Sequence, residues 1–352
     1  MVSFNILLQN LFVIGAILLL SGSIGIFALP WGYIAGTVFI SIFFTLFLAL
    51  KYRFTLFLKF EISRNFIQYL KNIRVFVAVD VFTRITPILE RVFIGLTFSG
   101  AVMVVDFARK LMEKLVSTIS TGLVTSSYSD LSKEGSQGNY EKVREISAFN
   151  FNLITLASVF ILVPILFLRS ELSEVIFLHG KMAPQRISNI SQVMLFVSIG
   201  IYFQNVSDLL YKVYFSLKRI KAAGTSALFQ FVLLNVLSLL FLDKLSYLAV
   251  PLAFTIKNTV NFILYYFILI RGKSSLKFID FGFAVKAGLL AAITYLALYF
   301  STFYIEGSYL KIGLSCLIFS VLFILVSRLL RIDEVNIFMD KLLLRLKRKN
   351  PF

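Results

Sequence analysis

Residues 149–168 read FNFNLITLASVFILVPILFL, twenty positions without a single ionisable side chain. At 1.5 Å per residue a helix of this length covers about 30 Å, the thickness of a bilayer's hydrocarbon core. Comparable runs recur on both sides of it. Toward the N-terminus they occupy 6–27, 30–50, 75–95 and 101–121, and toward the C-terminus 193–215, 222–242, 248–270, 283–303 and 310–327. With 59% hydrophobic and only 15% charged residues in 352, the composition excludes an ordinary water-soluble domain. The alternating pattern of a β-barrel is absent, so the predicted fold class is all-α, a polytopic membrane protein of about ten transmembrane helices.

The basic residues test this map, because cytoplasmic loops collect positive charge. Segments 51–74, 133–144, 218–221, 271–277 and the tail from 328 hold 22 of the 35 Lys and Arg residues. The opposite loops hold five: Arg169, Lys181, Arg186, Lys244 and Lys311. Both termini are therefore predicted to be cytoplasmic. The net charge of +17 is then read as anchoring on anionic inner-leaflet lipids rather than as nucleic-acid binding. The ending DKLLLRLKRKNPF has the character of a basic amphipathic helix lying on that leaflet. Three parts follow: 1–74, two helices and a cytoplasmic linker; 75–327, eight helices; and the tail 328–352. A single cysteine, Cys316, can form no intramolecular disulfide.

Eight cations remain inside the spans, namely Arg84, Arg91, Arg109, Lys110, Lys114, Lys212, Lys257 and Lys286, together with Asp80, Glu90, Asp106, Glu113 and Asp208. Each costs roughly 2.5–3.5 kcal/mol at a helix centre, so such residues face protein or a watery cavity. The densest group is VVDFARKLMEKL at 104–115. On a helical wheel Asp106, Lys110, Glu113, Ser117 and Thr121 share a stripe, opposite Ala108, Leu111, Met112, Leu115 and Ile119. Asp80, Arg84, Pro87 and Arg91 share a face of the third span, Asn205, Asp208 and Lys212 one of the sixth, and Lys257 and Asn261 one of the eighth. Pairs such as Asp106 with Lys110 or Arg109 with Glu113 would serve helix packing alone, and Lys114 and Lys286 would simply snorkel. Because cations outnumber acids eight to five, the set is read as an anion-accepting cavity suited to a phosphate or diphosphate.

Enzymatic readings lack their parts. The one histidine, His179, sits in an outer loop, which excludes a paired-His metal site, and no phosphate-binding loop follows a strand.

Several ordered landmarks resemble the MurJ lipid II flippase family, within the multidrug/oligosaccharidyl-lipid/polysaccharide exporter superfamily. They are ILERVFIGLTFSGAVMVVDFARKLMEKL at 88–115, SSYSDLSKEGSQGNYEKVREI at 126–146, VIFLHGKM at 175–182 and YKVYFSLKRIKAAGTSALFQFVLLNVLSLL at 211–240. LLQNLFVIGAILLLSGSIGIFALPWGYIAG at 7–36 is similar to the family's fifth and sixth helices, so the ten spans correspond to its fifth to fourteenth. The resemblance implies a flippase of the bacterial cytoplasmic membrane that moves an undecaprenyl-diphosphate glycan, with a partner chain expected to supply four further helices. It places Lys110 at a cavity position that is usually Arg, with Arg109 as support. Arg91, Arg84, Asp106, Glu113, Lys212 and Lys257 complete the implied substrate-binding set. It also makes Glu90, Asn235 and Thr255 relics of a sodium site, where Leu239 replaces an expected carboxylate. No other cofactor is implied. Export of an O-antigen or capsule repeat, or an inactive fragment, is the alternative reading.

Overall fold

The computed structural model describes residues 2–52, 64–177, 182–272, 276–302, 305 and 307–335, and among these the secondary structure is helical throughout. In chain order the helices are α1 (Val2–Ile24), α2 (Ala28–Tyr52), α3 (Arg64–Gly95), α4 (Ala101–Ser136), α5 (Tyr140–Phe167), α6 (Arg169–Phe177), α7 (Pro184–Ser216), α8 (Ile220–Leu245), α9 (Ala249–Arg271), α10 (Phe281–Ser301) and α11 (Ser308–Leu329). All but α6 correspond in order to the ten predicted spans. Six stretches of the described residues are long and apolar enough to cross a membrane, and together they contain every long helix except α3 and α4. Those two are the helices that carry most of the intramembrane charges.

Several helices run past their predicted ends, α3 from Arg64, α4 to Ser136, α5 from Tyr140 and α7 from Pro184. Leaving the hydrocarbon gives a helix no reason to stop, since its backbone hydrogen bonds are already internal. Polar positions on the first turns of α5 support the extension: Lys142 pairs with Glu145 at 3.1 Å and Arg144 with Glu141 at 2.9 Å. Asn139 caps that helix by accepting from the Lys142 amide. Pro184 opens α7 as its first residue, where a missing N–H costs nothing. The α3–α4 turn needs Gly100, whose φ of +92° an L side chain rarely adopts. The tail beyond 335 and His179 lie outside the described residues.

The chain divides into two compact units, Met1–Tyr69 and Leu70–Phe352. In the first, α1 and α2 form a hairpin around a 3-10 turn at Gly25–Phe27. Gly32 lets the helices touch, since a Cβ there would lie 2.8 Å from both Ala16 Cβ and Val13 Cα. Gln9 donates to Thr37 across the hairpin at 3.1 Å, and Phe12 packs on Phe39. Leu18 and Leu19 point away from it, as lipid-facing residues do.

In the second unit α7 is the central helix, packed against α4, α5 and α9, while α8 packs on α9 and α10 and α11 pack on α5. One core cluster joins Val104, Ala108 and Met112 of α4 to Val193 and Val197 of α7 and Ala253 and Phe254 of α9. Another joins Ile154 of α5 to Leu209 and Tyr214 of α7, Leu290 of α10 and Phe319 of α11. Small residues set the closest approach, as lipid-embedded packing favours. A Cβ on Gly200 of α7 would fall 2.6 Å from the Phe254 ring.

Candidate functional site

Charged and polar residues of α3, α4, α7, α8 and α9 line a cavity of about 340 Å³ within the second unit. Helical spacing produces it. On α7, Gln204, Asp208, Tyr211 and Phe215 follow one another at intervals of four, three and four, a single stripe. From α9 come Phe254, Lys257 and Asn258, from α8 Gly224, Ala227, Gln230 and Phe231, and from α3 Phe82, Thr83, Thr86 and Pro87. Among the described residues, α4 contributes Arg109.

Arg109 is the most heavily engaged of these side chains. It donates through Nη1 to Glu90 Oε2 and through Nε to Glu113 Oε1, the latter at 2.8 Å. Its guanidinium also lies over the Phe254 ring, 4.6 Å from the centroid, and Lys257 Nζ approaches the same ring at 5.3 Å. Glu90 is almost wholly buried, so this is an internal ion pair joining α3 to α4. Arg91 donates to Asp106 at 3.1 Å, a second bridge between the same helices. Asp80 accepts from Arg84 at 2.6 Å within α3, and both are exposed. Lys212 Nζ sits 4.7 Å from the Tyr128 ring. Asp208 lies within electrostatic reach of Lys212 and Lys257.

The placement of two neighbours differs from the helical-wheel expectation. Measured from buried Ala101, Arg109 lies about 80° round the α4 axis and Lys110 about 180°. Arg109 therefore stands on the shoulder of the buried stripe and lines the cavity, while Lys110 is exposed on the far side and does not. Asp106 is engaged by Arg91 rather than by Lys110. Leu115, assigned to the apolar face, is exposed. Of the eight substrate-binding candidates, the cavity lining includes Arg109 and Lys257; Arg84, Arg91, Asp106, Lys110, Glu113 and Lys212 stand outside it.

The three residues linked to sodium each have a hydrogen-bond or ion-pair partner within the protein. Glu90 is taken by the Arg109 guanidinium, Asn235 donates to the Phe231 carbonyl of its own helix at 2.7 Å, and Thr255 donates to the Phe196 carbonyl at 2.6 Å. Among the described residues there is no cluster of three or more His, Cys, Asp or Glu able to hold a metal. The Arg109 guanidinium thus already neutralises the one carboxylate of this set.

Sequence reasoning noted Asp208 but left it out of the site, and it missed Gln204, Tyr211, Gln230, Phe254 and Asn258. The four-three-four spacing of α7 was the available signal. Neutral amides and phenols in an apolar run draw less notice than charges, although burial makes the same demand on their hydrogen bonds.

A family model described as lipid II flippase MurJ matches residues 1–324. A solved structure titled "Lipid II flippase MurJ, inward closed conformation" superposes with a TM-score of 0.74 at 16% identity, covering 93% of this chain and 67% of that one. No curated protein sequence matches the chain. The structural likeness speaks for the fold, and the family model extends over most of the sequence. With the ordered landmarks, the helical architecture and the family match in agreement, the chain belongs to the MurJ lipid II flippase family.

Proposed function

We propose that the chain carries lipid II, an undecaprenyl-diphosphate-linked peptidoglycan precursor, from the inner to the outer leaflet of the bacterial cytoplasmic membrane by alternating access. Family membership supports the substrate class over an O-antigen or capsule repeat. From the structure, the observation that carries the reading is a division of labour among the intramembrane cations. All three arginines are committed to carboxylates, Arg84 to Asp80, Arg91 to Asp106 and Arg109 to Glu90 and Glu113. Lys110, Lys212 and Lys257 have no ion-pair partner within 4 Å among the described residues. Planar guanidinium forks suit fixed bridges, whereas a flexible ammonium can follow a moving anion. The lysines therefore meet the diphosphate, Lys257 within the cavity and Lys110 and Lys212 outside it, and the arginine bridges hold the helices that present them.

Export of an anion is helped by a membrane potential negative inside, by roughly 2.3 kcal/mol per charge per 100 mV if the charge crosses the whole field. ATP is not needed for that step. Both termini face the cytoplasm in this reading, supported by the 22-to-five distribution of basic residues, and anionic lipids hold the basic loops. Depleting the chain in cells and measuring lipid II accessibility at the outer leaflet tests the function. Accessibility should fall as the chain is lost; an unchanged level would remove the reading.

A further inference from the structure

We propose that the neutral wall of the cavity, formed by Gln204 and Tyr211 of α7 and Gln230 of α8, recognises the sugar portion of the headgroup and so sets which lipid-linked glycan is accepted. The inference rests on the lipid II reading above and adds a specificity site to it.

Two groups of lining side chains differ in chemistry. Arg109 and Lys257 gather around Phe254, whereas Gln230 and Tyr211 are joined to each other. A phosphate has little reason to choose the second. Its donors are uncharged, and hydrogen bonds from uncharged donors to an anion are weaker than those from an ammonium or guanidinium. Sugar hydroxyls and acetamido groups are the opposite kind of ligand, uncharged and rich in both donors and acceptors. Amide and phenol side chains match them because they too offer both.

The wall is held in place before any ligand arrives. Gln230 Nε2 donates to the Tyr211 hydroxyl, which is 2.8 Å from Ser226 Oγ, and Ser226 in turn donates to Asn261 Oδ1 at 2.7 Å. That chain spans α7, α8 and α9, so these side chains lose little freedom on binding. Gln204 supplies an independent sign. Its Oε1 is buried and has no hydrogen-bond partner, an acceptor that a hydroxyl or N–H of a sugar would satisfy. Aromatic rings complete the wall. Phe82 and Phe231 meet with centroids 5.0 Å apart and offer apolar faces to the C–H side of a pyranose. At about 340 Å³ the cavity lies at the lower limit for ligand sites, room for part of a glycan headgroup rather than all of it.

The test compares two lipids on the full chain in phosphatidylethanolamine–phosphatidylglycerol vesicles: undecaprenyl diphosphate, and the same lipid bearing its disaccharide. Wild type should bind the disaccharide lipid about tenfold more tightly. Gln204→Leu and Gln230→Leu should each cut that preference several-fold while binding of the sugar-free lipid persists, and Tyr211→Phe, which removes one hydroxyl, should do so with the least disturbance to packing. Equal binding of both lipids by wild type, an unchanged preference in all three variants, or parallel loss of both lipids in all three would overturn the sugar site and leave the lipid II reading standing. Failure of wild type to bind either lipid would instead bring down the lipid II reading and this inference with it.

Discussion

Arg109 and Lys110 are adjacent in the chain and take different positions, one braced inside the bundle and the other exposed. A wheel identified the two faces of α4, but which neighbours pack against each face depends on helices far away in sequence. That is why Lys110 looked like the inward cation. The ion pair makes its own prediction. Glu90→Ala leaves a largely buried guanidinium with Glu113 as its remaining partner, and should destabilise the protein by about 3 kcal/mol, near the lower end for a broken buried pair. Thermal unfolding in detergent measures this, and a change below about 0.5 kcal/mol would show the pair to be incidental. For transport, Lys110→Ala should slow flipping more than Lys286→Ala. Lys286 donates to the Arg331 carbonyl near one end of the bundle, whereas Lys110 has no such attachment among the described residues. Similar, near-normal rates in both variants would count against Lys110 as an anion contact.

Among the elements, the long helices were legible because twenty apolar residues in a row admit few structures in lipid. Helix α6 was not. RSELSEVIF is nine residues with three charges, too short and too polar for any apolar-run criterion, and tertiary contacts stabilise it. Lys311 of α11 pairs with Glu171, Ser308 bonds Glu174 at 2.9 Å, and Phe177 stacks on Phe107 of α4. The cavity was only partly legible, since charge marked Lys257 and Asp208 but nothing local marked the Phe254 platform. Its position depends on the close α7–α9 contact at Gly200. Adding a methyl there pushes into the ring and Thr255, so Gly200→Ala should cost about 1–3 kcal/mol and lower flipping as Phe254 shifts. Gly288→Ala on α10 is the matched control. With nothing within 4 Å of its new Cβ, it should be neutral or stabilise by up to about 1 kcal/mol. Unfolding midpoints that fail to separate the two would argue against the close packing of α7 on α9.

At the level of the whole molecule, the second unit combines arginine bridges, lysines without an ion-pair partner among the described residues, and a cavity lined by both charged and neutral polar side chains. This is the equipment for holding a headgroup with a diphosphate and a glycan inside a membrane while the tail stays in lipid. The most direct test is reconstitution of the full chain in vesicles carrying lipid II, following its appearance in the opposite leaflet. The account predicts translocation well above the protein-free rate, reduced at least tenfold by Lys257→Ala. A rate equal to that of protein-free vesicles would contradict it.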